Sequence, residues 1–255
     1  MFSLHGPGLS GIARHCDRQE TNAWNACAGP QGGLGDRVAR PHRLGGRATQ
    51  LRAAKRPIVR RIARDNCVGV IVDVQAFFLS QTSKRARSSI RTNTTNFARL
   101  LGYFRIPLVV TLERPVDFKG SLPKDIDRHL GDLAQTFEKD SFDLTREKKI
   151  RDHLARLKKT QAIVAGCETD VCVLQSCLGL LGLGYEVYVV EDLLFSSASD
   201  AEAAIARMRE EGAAFLTYKT LFYELIEAVE SARSADKMLA AFGPFPDDLP
   251  DCAVR

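Results

Sequence analysis

The 255-residue chain has no apolar run near the ~18 residues that a membrane-spanning helix requires, so an integral membrane protein is excluded. It also lacks the apolar core of a secretory signal peptide. No disulfide framework is legible. The seven cysteines are odd in number and unevenly spaced, and most of those after residue 60 lie in apolar segments, which points to a reducing compartment and a cytoplasmic location. Glycine and proline are too few for a collagen-like or low-complexity chain. What is present is a globular balance, 45% apolar and 26% charged, on a length that allows one large domain or two small ones.

The net charge of +5 points toward nucleic acid only until it is located. Residues 1–60 carry +7, with nine Arg and one Lys against Asp17, Glu20 and Asp36; the remainder carries −2. The larger part of the chain therefore gives no reason to expect a phosphate-binding face. Residues 1–60 also hold nine of the 19 glycines and no sustained periodicity, and they read as a disordered basic Gly/Arg-rich extension. An Arg-rich targeting peptide or a nucleic-acid-binding arm are the other readings of that segment. The domain is expected over 61–235, followed by a Pro-rich tail over 236–255.

From about Arg61 strands and helices alternate. CVGVIVDV, LVVTLE, a short apolar element near Leu133–Phe137, QAIVAG, YEVYVVED and AAFLTY read as buried strands. Lys84–Phe104, Arg146–Lys158, Val171–Leu183, AAIARMREEG and LFYELIEAVE read as helices; Ser199 and Glu202 make a capping-box pair, and Gly212 is a stop. Such alternation implies βαβ units, a mostly parallel sheet and an α/β fold. Ligands in these sheets sit beyond the carboxyl ends of the strands, so the chemistry belongs just after Val72, Leu112, Phe137, Ala165, Val190 and Leu216.

Three reactive residues fall at such ends. Asp73 closes the first strand in VIVDVQ, where a buried carboxylate is costly unless paired or used; it could also cap the next turn. Lys139 in TFEKDSFD would, alone, be a surface lysine. Cys172 follows Thr169, a plausible N-cap, which puts its sulfur in the first turn of a helix and predicts a lowered thiol pKa. A lone cysteine on an apolar helix is otherwise a core residue, and Cys177 fits that description better.

Together VIVDVQAFF, FEKDSFD and GCETDVCV resemble the isochorismatase-like cysteine hydrolase family, over roughly Asn66 to Glu230. The resemblance implies a three-layer αβα, Rossmann-like sheet, and a Cys172–Asp73–Lys139 triad. It also implies a cis peptide at Cys167–Glu168 that aims the N–H groups of Glu168 and Cys172 at an oxyanion hole. In that scheme Cys172 attacks a carbonyl, Asp73 takes the thiol proton and delivers it to the leaving nitrogen, Lys139 steadies the thiolate, and water hydrolyses the thioester. Family nicotinamidases carry an Asp-x-His pair and a further His for a metal. Here only His129 lies between Glu113 and Lys139, and His153 is expected to face solvent, so neither a metal nor another cofactor is expected. Members that cleave isochorismate lack the nucleophilic Cys, so Cys172 disfavours that reaction.

The expected activity is metal-independent hydrolysis of a small amide, ureido or carbamoyl substrate. Gln75, Phe78, Glu113 and Phe142 are pocket candidates, with Phe77 beside them. Glu113 and Glu168 either select a cationic substrate or are hydrogen-bonded structural groups. The expected partners are the small-molecule substrate and further copies of the chain, a dimer or larger, with no nucleic acid and no membrane. A non-hydrolytic thiol protein, redox or binding, is the rival reading. Cys167, Cys172 and Cys177 cluster in sequence, but the last two point apart on one helix.

Overall fold

The computed structural model describes residues 61–198 and 200–227. The expectations for 1–60, for the tail over 236–255 and for a capping role of Ser199 lie outside the described residues. Six strands make one all-parallel sheet in the order β3-β2-β1-β4-β5-β6. They are β1 (Cys67–Val72), β2 (Leu108–Glu113), β3 (Ala134–Lys139), β4 (Gln161–Gly166), β5 (Glu186–Leu194) and β6 (Ala214–Leu216). Every residue of β1, β2 and β4 is buried, which is why their sequences are unbroken β-branched and apolar runs rather than alternating ones.

Helices cover both faces, the three-layer α/β arrangement. On one face α2 (Lys84–Tyr103) and α8 (Tyr218–Ile226) set Phe97, Leu100, Leu101 and Phe222 against Ile71 and Ile163. On the other, α5 (Lys148–Leu157), α6 (Leu174–Gly182) and α7 (Glu202–Glu210) set Ile150, Leu154, Leu180 and Met208 against Val70 and Val164. Ser83 caps α2 by accepting from Ala86 N. At α7 the side chain of Asp200 accepts from Glu202 N.

Short helices α1 (Ala76–Ser80), α3 (Val116–Lys119) and α4 (Lys124–Asp127) lie in stretches that carry too few residues for a readable period. One helix differs from the sequence reading in kind. The segment read as Val171–Leu183 begins with a π-helical turn, Thr169–Val173, and α6 follows it. Strand order reverses between β1 and β4, so the crevice beyond their carboxyl ends is the fold's natural ligand position.

Candidate active site

The chain after β1 turns sharply. Asp73 adopts the left-handed region at φ 49, which Asp tolerates better than most residues. This turn tucks its carboxylate inward, fully buried. Oδ1 accepts from Thr111 Oγ1 on β2 at 2.8 Å. Oδ2 forms an ion pair with Lys139 Nζ at 2.7 Å. Lys139 is the last residue of β3 and is also fully buried. Its ammonium stands 3.5 Å from Cys172 Sγ and 3.8 Å from Glu113 Oε2.

Cys172 comes from the far side of the crevice. β4 ends at Gly166, whose φ of 127 only glycine adopts readily, and a Cβ there would collide with the Val72 carbonyl oxygen. The Cys167–Glu168 peptide that follows is cis, at the bond the family resemblance implied. Cys167 N donates to Val72 O at 2.9 Å and Cys167 Sγ to Asp73 O at 3.0 Å, so the two strand ends are laced together. The π-helical turn is braced by Val171 N and Val173 N donating to Glu168 O and by Leu174 N donating to Thr169 O.

The thiol of Cys172 donates to Glu113 Oε2 at 2.9 Å. Glu113 closes β2 and is only 9% exposed. Lys119 of α3 forms an ion pair with its Oε1, and the Lys119 ammonium sits 5.6 Å from the centre of the Phe78 ring. Gln75 fixes the Glu113 backbone from both sides: Oε1 accepts from Glu113 N at 2.8 Å, and Nε2 donates to Glu113 O at 3.1 Å and Gly120 O at 2.7 Å.

The charge states follow from these contacts. Burial alone would lower the Lys139 pKa, but Asp73, Cys172 and Glu113 carry it above the usual lysine value, so the ammonium is kept. Burial pushes the Asp73 carboxyl up, opposed by Lys139 and Thr111. Glu113 would be raised by burial as well, yet the bond from Cys172 and the two lysines hold it below its ordinary value. The Cys172 thiol is pushed up, first by burial and then by the Asp73 charge, against the pull of Lys139. The lowered thiol pKa expected from a helix start is therefore corrected. Sγ lies in a π-helical turn, out of solvent and between two carboxylates, and these outweigh the local dipole.

Some of the sequence readings change, whereas the core reading of Cys177 and the structural reading of Glu168 stand. Thr169 does not cap the helix; its hydroxyl donates to Phe195 O at 3.0 Å. Gln75 has its side-chain amide committed to backbone partners, and Phe78 belongs to the buried core. Phe142 is 54% exposed and lines an open cavity of about 390 Å³ with Asp143, Asp170, Val171 and Gln175, beside the turn that bears Cys172. The Glu168 carboxylate accepts from Ser197 N, Ser197 Oγ and Ser196 Oγ, which makes it a tie to the loop after β5. His153 is half-buried rather than solvent-facing, with its ring 5.2 Å from that of Phe137. Cys177 is a fully buried core thiol pushed up to about 12 by burial. Thr111 and Lys119 were missed; Thr111 is the one hydroxyl in an otherwise apolar strand up to Glu113, which is a usable signal, whereas Lys119 lies in a segment with none.

Asp73, Glu113 and Cys172 bring three ligand-type atoms within 4.8 Å of one another. A metal does not fit among them as they stand, because the Lys139 ammonium already contacts all three and supplies the positive charge.

A family model described as Isochorismatase domain matches residues 67–220. The secreted isochorismatase effector Isc1 of Phytophthora sojae is 31% identical over 170 residues, 65% of this chain and 79% of that protein. Human isochorismatase domain-containing protein 2 is 29% identical over 176 residues, 68% and 82% of the two chains. Among solved structures, the MAR1 ribonuclease of Caenorhabditis elegans aligns with a TM-score of 0.63 at 25% identity, covering 75% of this chain and 98% of that one. The YcaC product of Escherichia coli, described as an octameric hydrolase of unknown specificity, aligns with a TM-score of 0.66 at 22% identity, over 74% and 93%.

Proposed function

The chain belongs to the isochorismatase family, and within it we propose a cysteine hydrolase that cleaves the C–N bond of a small amide, ureido or carbamoyl compound through a thioester. The observation that carries this reading is the convergence on Cys172 Sγ of a buried ammonium at 3.5 Å and a carboxylate at 2.9 Å. A thiol whose pKa burial has raised is useless as a nucleophile unless a base takes its proton at the moment of attack, and the site provides carboxylates for that purpose. Lys139 holds the developing thiolate by charge. The N–H groups of Glu168 and Cys172 would receive the oxyanion. A carboxylate of the site receives the thiol proton and returns one to the departing nitrogen, and water then cleaves the thioester.

The site is specific for neutral, compact groups at its base, because both acidic side chains there already have cationic partners. A nucleic-acid substrate is not proposed, since residues 61–255 carry a net −2. We place the working protein in the cytoplasm and as a homo-oligomer. The second point is supported by exposed Phe118, Leu183 and Tyr223 and by the octameric description of the YcaC structure. The test is a panel of small amides and carbamoyl compounds followed by ammonia release. Wild type should turn over at least one of them and trap an acyl adduct on Cys172. Stable oxidation of Cys172 with no turnover across the panel would favour a redox thiol protein instead.

A further inference from the structure

On the hydrolase reading Lys139 acts from the end of an outer strand. β3 is paired on one side only, to β2, and most of its residues are at least partly exposed. Arg114 N donates to Lys139 O at 3.0 Å, which pins the strand end to β2. The sheet gives Lys139 no direct link to Cys172, because β2 and β1 lie between β3 and the strand that leads to the thiol.

The link comes from the segment that follows Lys139. Asp140 N and Ser141 N both donate to Glu147 Oε1 at 3.0 Å, which closes residues 140–147 into a compact turn. Ser176, four residues past Cys172 on α6, docks that turn. Its side chain is fully buried; Oγ accepts from Leu144 N and donates to Phe142 O, each at 3.2 Å. A serine inside a helix often bonds the carbonyl four residues back, but here the hydroxyl bridges outward to another segment. One turn further on, Gly179 lets the segment lie against the helix. A Cβ there would collide with Asp143 Oδ1 and Thr145 Oγ1, and those two atoms are bonded to each other at 2.7 Å, so neither swings aside without losing a bond.

From this geometry we propose that Ser176 is a positioning residue for the reaction. Its hydroxyl, with Gly179 beside it, fixes the segment after β3 on the helix that follows Cys172, and so sets the Lys139 ammonium against the sulfur. The proposal rests on the cysteine-hydrolase reading for its chemical purpose but not for its test. Ser176 exchanges no proton and touches no substrate. Both partners of the 3.5 Å ammonium–sulfur contact are referred through it to one rigid element, α6. The Lys139 side chain is fully buried, so a shift of its backbone passes to the ammonium instead of being absorbed by a mobile stem. Displacing a group by about 1 Å at a reacting centre can cost on the order of 100-fold in rate.

The probe is iodoacetamide on the full chain between pH 7 and 9, with the alkylated position localised by fragment-ion mass spectrometry; no substrate is needed. Cys177, a buried thiol on α6 perturbed by burial alone, reports opening of the same helix. The titratable groups around Cys172 Sγ are Lys139, Asp73, Glu113 and Cys167, and Ser176→Ala alters none of them. Retreat of the ammonium raises the thiol pKa, because Lys139 is the group that pulls it down, and so slows Cys172 alone. Simple loosening of the packing speeds both cysteines. Ser176→Ala should therefore slow Cys172 relative to Cys177 about three- to tenfold at pH 8. Ser176→Thr, which keeps the hydroxyl, should stay within about twofold of wild type. Gly179→Ala, which pushes the segment away and leaves the hydroxyl in place, should also slow Cys172. Ile163→Val, in the core on the other face of the sheet, should lower the unfolding midpoint and leave the ratio unchanged. In a Lys139→Met background Ser176→Ala should change the ratio by less than about twofold, since no ammonium is left to misplace. Should Lys139→Met not fold, the variants that retain Lys139 decide. An unchanged or raised ratio in Ser176→Ala, an equal slowing in Ser176→Thr or Ile163→Val, or a full effect without Lys139 would each overturn the assignment. Failure of every amide in the turnover panel, with these ratios as expected, would instead sink the hydrolase reading and leave Ser176 as the residue that sets the ammonium–thiol contact.

Discussion

Removing the Lys139 ammonium should cost more stability than any surface ion pair in the molecule, and the loss should depend on pH in one direction. Lys139→Met keeps most of the buried volume of a side chain that is 0% exposed, but it leaves the equally buried Asp73 without its partner at 2.7 Å. Breaking a buried pair by removing one member costs about 3–5 kcal/mol. For a domain of this size that corresponds to a drop of about 6–20 °C in melting temperature. The remaining carboxyl responds by holding its proton. Burial already raises the Asp73 pKa in the native protein, and loss of the ammonium raises it further. A group whose folded pKa is raised contributes stability that is full below its unfolded value, about 3.9 for Asp, and is lost as pH rises through the folded value. The variant should therefore approach wild type near pH 4.5 and fall away from it toward pH 7.5. Chemical unfolding at both pH values, on Lys139→Met, Asp73→Asn and the double variant, measures the effect. The double variant should recover part of the loss at pH 7.5. A deficit below about 1 kcal/mol at pH 7.5, or one that does not shrink in acid, would refute the buried-pair argument.

Cys172→Ala should abolish turnover and iodoacetamide labelling at that position while far-ultraviolet circular dichroism is unchanged, because the π-helical turn accepts Ala and little volume is lost. Gly166→Ala should destabilise by about 3 kcal/mol, since φ 127 strains any L side chain and the added Cβ meets the Val72 backbone; denaturant titration reads it directly. Phe97→Ala, which empties a fully buried site on α2, should cost about 3–5 kcal/mol with the labelling profile of Cys172 preserved. Dialysis against a chelator should leave turnover unchanged, and activity lost to the chelator and restored by a divalent metal would reverse the account of Lys139.

How far the sequence could be read follows from where the information lies. The strands announced themselves because β1, β2 and β4 are buried on both faces and so carry unbroken apolar runs; the long helices α2 and α5 showed their buried stripes through Ile90, Phe97, Leu101, Ile150 and Leu154. Asp73, Lys139 and Cys172 were identifiable because each sits within a few residues of a strand end, and the structure brings all three together. The ionisation of Cys172 was not legible. A helix start is a local pattern, but the burial and the two carboxylates that raise the thiol come from β1 and β2, over 50 residues away. Gln75 looked like a pocket residue because nothing local shows that its amide matches the Glu113 backbone. His153 was misplaced because its charged neighbours hide the ring contact with Phe137.

Lys139 ends the outermost strand on one side of the sheet, and β3 is partly exposed along most of its length, whereas the strands bearing Asp73 and the Cys172 turn are interior. Outer strands open at lower free energy than central ones. Fraying of β3 would withdraw the ammonium while the framework around Cys172 stayed folded. The Cys172 thiol would then lose its ammonium before it was exposed, so that, on the proposed mechanism, mild heat or denaturant should extinguish activity ahead of the unfolding transition and let it return on cooling.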